Sequence, residues 1–251
     1  MSHGADCTAI VTGGGSGFGR EIALGLADAG LNVAVIGESA AESDTAAELE
    51  SLGARSAGIT SALDSRASAV AAFSAATDAI GRPDLVVHAS VGAAALAPCA
   101  LHELDDSGFD AACELEIRRA LFCLQAAHDT LRGDGGRIVL VTPTLALMGA
   151  AHRVAFSTAC EAQRSLVKSA ARQWGTLGIT VNIVAPALDT VLRAEHRDES
   201  ADSHILADIP LGHTGEARAD VAPVVALLAQ PAGRFVTGQT LRIDGGSWLA
   251  G

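Results

Sequence analysis

No tyrosine occurs anywhere in the 251 residues. A phenolic general acid or base is thereby excluded, whatever the fold. Lysine is almost as scarce, since Lys168 is its single occurrence. Aromatic side chains make up only 3% of the chain while 49% is hydrophobic, so the core must come from Ala, Val, Leu and Ile. That favours closely packed parallel strands and small-residue helix contacts over an aromatic-rich β-sandwich. The net charge of -12 argues against a nucleic-acid or anionic-membrane surface. The cysteines Cys7, Cys99, Cys113, Cys123 and Cys160 are odd in number and show no Cys-x-x-Cys spacing. Neither a disulfide framework nor a metal site is expected, and the thiols are read as reduced and mostly buried. Met1 to Asp6 hold no basic run, and no apolar stretch reaches ~18 residues without a Gly, Pro or charge, so export and membrane spanning are not expected. The expected compartment is the cytoplasm.

What is present alternates. Thr8 to Val11 is a short apolar run that meets Thr12-Gly13-Gly14-Gly15-Ser16-Gly17-Phe18-Gly19, and Arg20 to Ala29 follows with helical spacing. Val33 to Ile36 completes a βαβ unit. The pattern continues with helices over Ala40–Leu52, Ser65–Ile80 and Ser107–Arg132, each followed by a strand, near Ala57–Thr60, Leu85–Val87 and Arg137–Val141. A long helix over Val154–Trp174, a strand over Thr180–Val184, a helix over Val221–Leu228 and a strand over Gln239–Ile243 complete the chain. This order predicts one α/β domain over residues 1–251, a doubly wound parallel sheet with helices on both faces. The polar stretch Ala187 to Gly215 resists assignment, and loops of that length are lids or binding loops when ordered.

A glycine turn between strand and helix lets backbone N–H groups and the helix N-terminus approach a pyrophosphate. Gly13, Gly17 and Gly19 stand where that geometry needs them, although a tight turn with no ligand uses the same residues. Glu38 follows the second strand, where a carboxylate accepts hydrogen bonds from a ribose diol and repels a 2′-phosphate. NAD is thus favoured over NADP. An ordinary solvated loop carboxylate is the other reading of Glu38.

The spacing Thr12-Gly13-x-x-x-Gly17-x-Gly19, Pro186 after Val181 to Ala185, and the run from Thr237-Gly238-Gln239 to Asp244-Gly245-Gly246 resemble the short-chain dehydrogenase/reductase family over nearly the whole chain. The resemblance implies a Rossmann-like subunit with about seven parallel strands, a nicotinamide cofactor, and dimers or tetramers. It implies cofactor contacts at Gly13, Ser16, Gly17, Phe18, Gly19, Glu38 and Ala89. In that family hydride transfer is coupled to a proton relay. A tyrosine exchanges the proton, a lysine one helical turn later lowers the phenol pKa and holds the nicotinamide ribose, a serine positions the substrate oxygen, and an asparagine holds a relay water. Matched by register, Glu116 takes the place of the asparagine, Pro143 of the serine, Phe156 of the tyrosine and Cys160 of the lysine. All four are substituted. No slip of register restores the pair, because the chain has no tyrosine and Lys168 lies ~18 Å beyond Phe156 at about 1.5 Å per helical residue. The family's Asn-Asn-Ala-Gly stretch also appears as Val87-His88-Ala89-Ser90-Val91-Gly92, with Ser61 in place of an acidic residue and Pro186-Ala187 in place of a Pro-Gly pair. NAD binding is accordingly expected to be weak or absent, and NADP disfavoured.

Rival constellations are thin. Thr142, Thr144 and His152 lie near the substituted positions, and His152 is read as a surface residue. Cys160 is read as a small buried apolar group without an activating neighbour. His196, His204 and His213 show no metal-ligand spacing, and Asp105-Asp106 reads as a helix start. The first functional expectation is a pseudoenzyme subunit that partners a catalytically intact paralogue through Phe109–Arg132 and Val154–Trp174, with apolar faces at Leu121, Leu124, Leu166 and Val167. The alternatives are an atypical NAD-dependent oxidoreductase acting on an alcohol or ketone, and an NAD(H)-binding sensor.

Overall fold

The structure is a computed structural model that describes residues 7–91, 97–187 and 209–249. Seven strands, β1 (Thr8–Thr12), β2 (Asn32–Gly37), β3 (Ser56–Thr60), β4 (Leu85–His88), β5 (Gly136–Val141), β6 (Ile179–Pro186) and β7 (Thr240–Ile243), form one sheet. Their order is β3-β2-β1-β4-β5-β6-β7 and each pairing is parallel. The predicted doubly wound sheet is therefore present, with its change of direction between β1 and β4. The helices are α1 (Gly17–Asp28), α2 (Ala41–Ser51), α3 (Arg66–Ile80), α4 (Asp106–Leu131), α5 (Thr144–Leu147), α6 (Val154–Trp174) and α7 (Ala222–Ala229).

Strand residues alternate between the two faces, as the two-residue period of a strand requires. Ile10, Ile36, Val86, Ile138, Leu140 and Ile183 pack with Phe73, Leu124, Leu131 and Phe156 from α3, α4 and α6. Val11, Val35, Val87, Val139 and Val184 pack with Ile22, Leu26, Val225 and Leu228 from α1 and α7. Aliphatic residues do almost all of this, in keeping with the composition. Asp105 caps α4 by accepting from the Gly108 N–H at 2.7 Å, as its place at the helix start predicted. Ser65 caps α3 in a reciprocal box with Ser68.

Some expectations are corrected. Leu124 and Val167 are 2% and 1% exposed and belong to the chain's own core, so of the four apolar residues assigned to a partner-facing surface only Leu121 and Leu166 are half-buried. The strand β6 runs to Pro186, two residues beyond the predicted end. Among the short elements with no forecast, two adjoin the site and the last helix. The short helix α5 carries only Thr-Leu-Ala-Leu, too few residues for a period to show. A π-turn over Ala217–Val221 leads into α7, where Pro223 has no N–H to give back to the preceding turn. Of the predicted lid, residues 188–208 lie outside the described residues.

The seat of α1 on this last turn is tight. A Cβ on Gly25 would lie 2.4 Å from the Ala222 Cβ and 2.8 Å from the Arg218 carbonyl oxygen, whereas one on Gly175 would meet nothing within 4 Å. Gly25→Ala is expected to destabilise the fold by about 1–3 kcal/mol through overpacking, and Gly175→Ala to change it by less than about 1 kcal/mol. Urea unfolding of the two variants beside the wild type measures the difference.

Candidate functional site

The glycine turn sits where β1 and β4 part. Gly13 donates its N–H to the Ile36 carbonyl at 2.7 Å, and Ala89 donates to the Thr12 carbonyl at 3.0 Å. Backbone crowds this turn from behind: a Cβ on Gly13 would be 2.7 Å from Ser90, and one on Gly19 would be 2.1 Å from the Gly13 carbonyl oxygen. Gly17 is different. It has φ +51 and open space where a Cβ would project. The turn thus presents its Gly17 side to a cleft of about 280 Å³, whose lining includes Ser16, Phe18, Glu38, Ala89 and Pro143. All seven residues proposed for cofactor contact border this cleft.

A buried carboxylate shapes the turn from below. Glu42 is 3% exposed and accepts from the Ser39 N–H at 3.0 Å and the Ser39 hydroxyl at 3.2 Å. Cβ atoms on Gly15 and Gly37 would fall 2.2 and 1.9 Å from its oxygen. These glycines therefore make room for a side chain. Sequence reasoning overlooked Glu42, for which the only signal was an acidic residue in the first turn of a helix.

At the end of β4, His88 is buried and shares a 2.7 Å hydrogen bond with the Thr12 hydroxyl through Nδ1. Burial first, and the positive charge of Arg119 second, push its pKa down to about 4. Arg119, on α4 and 7% exposed, forms an ion pair with Glu38. Glu38 remains exposed, at 53% of its side chain, with one carboxylate oxygen engaged by Arg119. Nothing along the chain announced this pair, because its members lie on separate elements.

Of the four positions matched to the family's relay, only Pro143 lines this cleft. Phe156 and Cys160 are one turn apart on α6 and each 2% exposed. The Cys160 thiol is pushed far up by burial, and then by the charges of Glu116 and Glu161. Glu116 is also buried, at 2% exposure, and its backbone carbonyl accepts from Gln163 at 3.5 Å. Thr142 is fully buried with its hydroxyl unpartnered among the described residues, and Thr144 donates to the Ala185 carbonyl at 2.8 Å. His152 is exposed, with φ 60. Cys123 is pushed up to about 12 by burial, which the hydrogen bond from Thr12 only partly offsets. Cys7 and Cys99 are half-buried, so three of the five thiols are buried outright.

A family model described as Enoyl-(Acyl carrier protein) reductase matches residues 13–247. The chain belongs to the short-chain dehydrogenase/reductase family. It is 31% identical to the (2S)-[(R)-hydroxy(phenyl)methyl]succinyl-CoA dehydrogenase subunit BbsD of Thauera aromatica, over 96% of each chain. A dehydrogenase/reductase from Sinorhizobium meliloti 1021 superposes with a TM-score of 0.86 at 34% identity, over 97% of this chain and 95% of that one. A short chain dehydrogenase from Burkholderia cenocepacia J2315, solved in complex with NADP, superposes with a TM-score of 0.84 at 31% identity, over 96% and 98%.

The pyrophosphate end of the cleft fits a dinucleotide of the kind this family uses. Its glycine turn is open only at Gly17, which lines the cleft together with the start of α1, and a helix start beside an open glycine turn suits a pyrophosphate. The ribose end fits less well, since Glu38 is already engaged. No Lys or Arg is among the residues that line the cleft, while Glu38 and Glu42 are.

His88 gives this site a pH signature. An unfolded chain takes a proton on a histidine near pH 6.5, but folded His88 does so only near its pKa of about 4. The stabilisation is therefore complete above pH ~6.5 and lost as pH falls towards ~4, a total of ~3 kcal/mol. Urea unfolding across this range is expected to show the loss, and His88→Asn to shed that part of the slope.

Proposed function

We propose that this chain is a non-catalytic member of the short-chain dehydrogenase/reductase family and forms one subunit of a mixed oligomer with a catalytically intact relative. The observation that carries the reading is the buried face of α6. Phe156 has no proton to exchange, and the Cys160 thiol, raised by burial, gives up its own reluctantly. Pro143 has neither hydroxyl nor N–H, and Glu116 brings a buried charge to a place where the family uses a neutral amide. A bound nicotinamide would supply or accept hydride, yet the oxygen of an alcohol or ketone would find neither the tyrosine hydroxyl nor the lysine with which the family exchanges its proton.

In this reading the cleft is a remnant or a weak binding site. NAD is the nucleotide expected there, held by the N–H groups of the turn from Gly13 to Gly19 and by Glu38, with Ala89 at the far wall. Oligomerisation rests on α4 and α6, whose half-buried Leu121, Phe122 and Leu166 offer apolar surface. On the same two helices the His128 and Trp174 rings meet at 4.9 Å between centroids, tilted by 42°. The relative from Thauera aromatica is named as a subunit of a dehydrogenase, in keeping with a chain that works within a larger enzyme.

The chain purified alone is expected to show no hydride transfer above background with NAD or NADH and any of a panel of alcohols and ketones. Affinity capture from its own cells is expected to recover a family member that retains the Tyr and Lys. Recovery of homo-oligomers alone, or steady turnover by the isolated chain, would overturn the reading. Leu166→Glu is expected to release the partner without altering the circular dichroism of the subunit.

A further inference from the structure

The sheet order places β1 between β2 and β4. A side chain that links the end of β2 to the end of β4 must therefore cross the carboxyl end of β1, the crevice in which ligands of doubly wound sheets bind. Arg119 makes that crossing. Its guanidinium lies close enough to His88, at the end of β4, for its charge to act there, and it pairs with Glu38 just past β2.

Two cavities meet at this pair. Glu38 lines the cleft of about 280 Å³ with the glycine turn. Arg119 lines a second cavity of about 390 Å³ with Asp64, Leu115 and Arg118. The guanidinium carries five N–H donors, and its buried Nε has no acceptor among the described residues. A cation this deeply buried and this sparsely satisfied is held mainly by its one carboxylate, so anything that engages that carboxylate loosens it.

We infer that the Glu38–Arg119 ion pair is a latch across the adenosine end of the nucleotide cleft, closed in the free protein and parted when a nucleotide binds. A dinucleotide with its pyrophosphate on the glycine turn directs its ribose diol at Glu38 and its base over the ends of β1 and β4. The guanidinium stands behind that carboxylate, on the side of the second cavity, and draws on the same oxygens. The ribose hydroxyls and Arg119 compete for one carboxylate, and the apparent affinity is the intrinsic one multiplied by the fraction of molecules in which the latch stands open. Without the arginine, the Glu38 oxygens are free and the two cavities join.

Calorimetric titration with ADP-ribose, which has the pyrophosphate and adenosine but no nicotinamide, reads the latch by binding alone. Its outcome is thus separate from whether the chain transfers hydride. Arg119→Met and Arg119→Leu are expected to bind ADP-ribose about tenfold or more tightly than the wild type, while still melting cooperatively. A folded variant that binds no more tightly than the wild type would overturn the latch. The wild type supplies a second arm that does not depend on the variants folding. With Arg119 committed to Glu38, 2′-phospho-ADP-ribose is expected to bind no better than ADP-ribose. A preference of about tenfold or more for the 2′-phosphate would make Arg119 a phosphate receptor instead, and the latch would fall.

Discussion

Everything at the working end of this molecule depends on how β1 and β4 meet. They pair in parallel with Thr12 opposite His88, and their final side chains share a hydrogen bond in full burial. From this junction the chain departs in opposite senses. After β1 it turns through glycines into α1 on one face, and after β4 it continues toward α4 on the other. The glycine turn is narrow because the backbone after β4 presses on it, at a separation that leaves no room for a methyl on Gly13. A cleft between these departures follows from the sheet's topology, before any ligand is considered.

The same junction explains why the cleft's electrostatics are unusual. A neutral histidine can end β4 only while its surroundings disfavour its charge, and burial together with Arg119 does so. Arg119, buried in its turn, requires a carboxylate, and Glu38 supplies it. These three residues form one arrangement, with Arg119 between the histidine and the carboxylate. At the other end, α6 presents a phenyl ring and a thiol to the interior, and that end of the cleft holds little chemistry. An ion pair marks the adenosine end, while at the other a phenyl ring and a thiol stand where the family has a tyrosine and a lysine.

Much of the fold could be read from the residues, because it rests on local regularities. Apolar runs such as Val33 to Ile36, punctuated by Gly30 and Gly37, mark buried parallel strands, and the long spacing of α4 and α6 marks helices. The faces of those helices were harder. Leu124 and Val167 resemble partner-facing residues because both helices carry apolar side chains over a wide arc, and only the packing shows which part meets the sheet. The glycine turn and Glu38 were legible as positions on a cleft. The role of Glu38 was not, since its partner Arg119 is brought to it by the order of strands and by no feature of the intervening sequence. Glu42 escaped notice for a related reason, as two of the groups that define its burial are glycines, whose significance is the side chain they lack.

Glu42 also constrains what this turn can become. Its carboxylate fills the space that a methyl on Gly15 or Gly37 would need, and two donors from Ser39 hold it there. An alanine at either glycine would require the Glu42 carboxylate to swing out of its present place, and a shorter residue at 42 would leave a void beside both. The three positions are one steric unit spread over the turn, the end of β2 and the start of α2. Variation in related chains should therefore enter this corner as coupled exchanges, with bulk moving between the backbone side and position 42 while the total volume is kept.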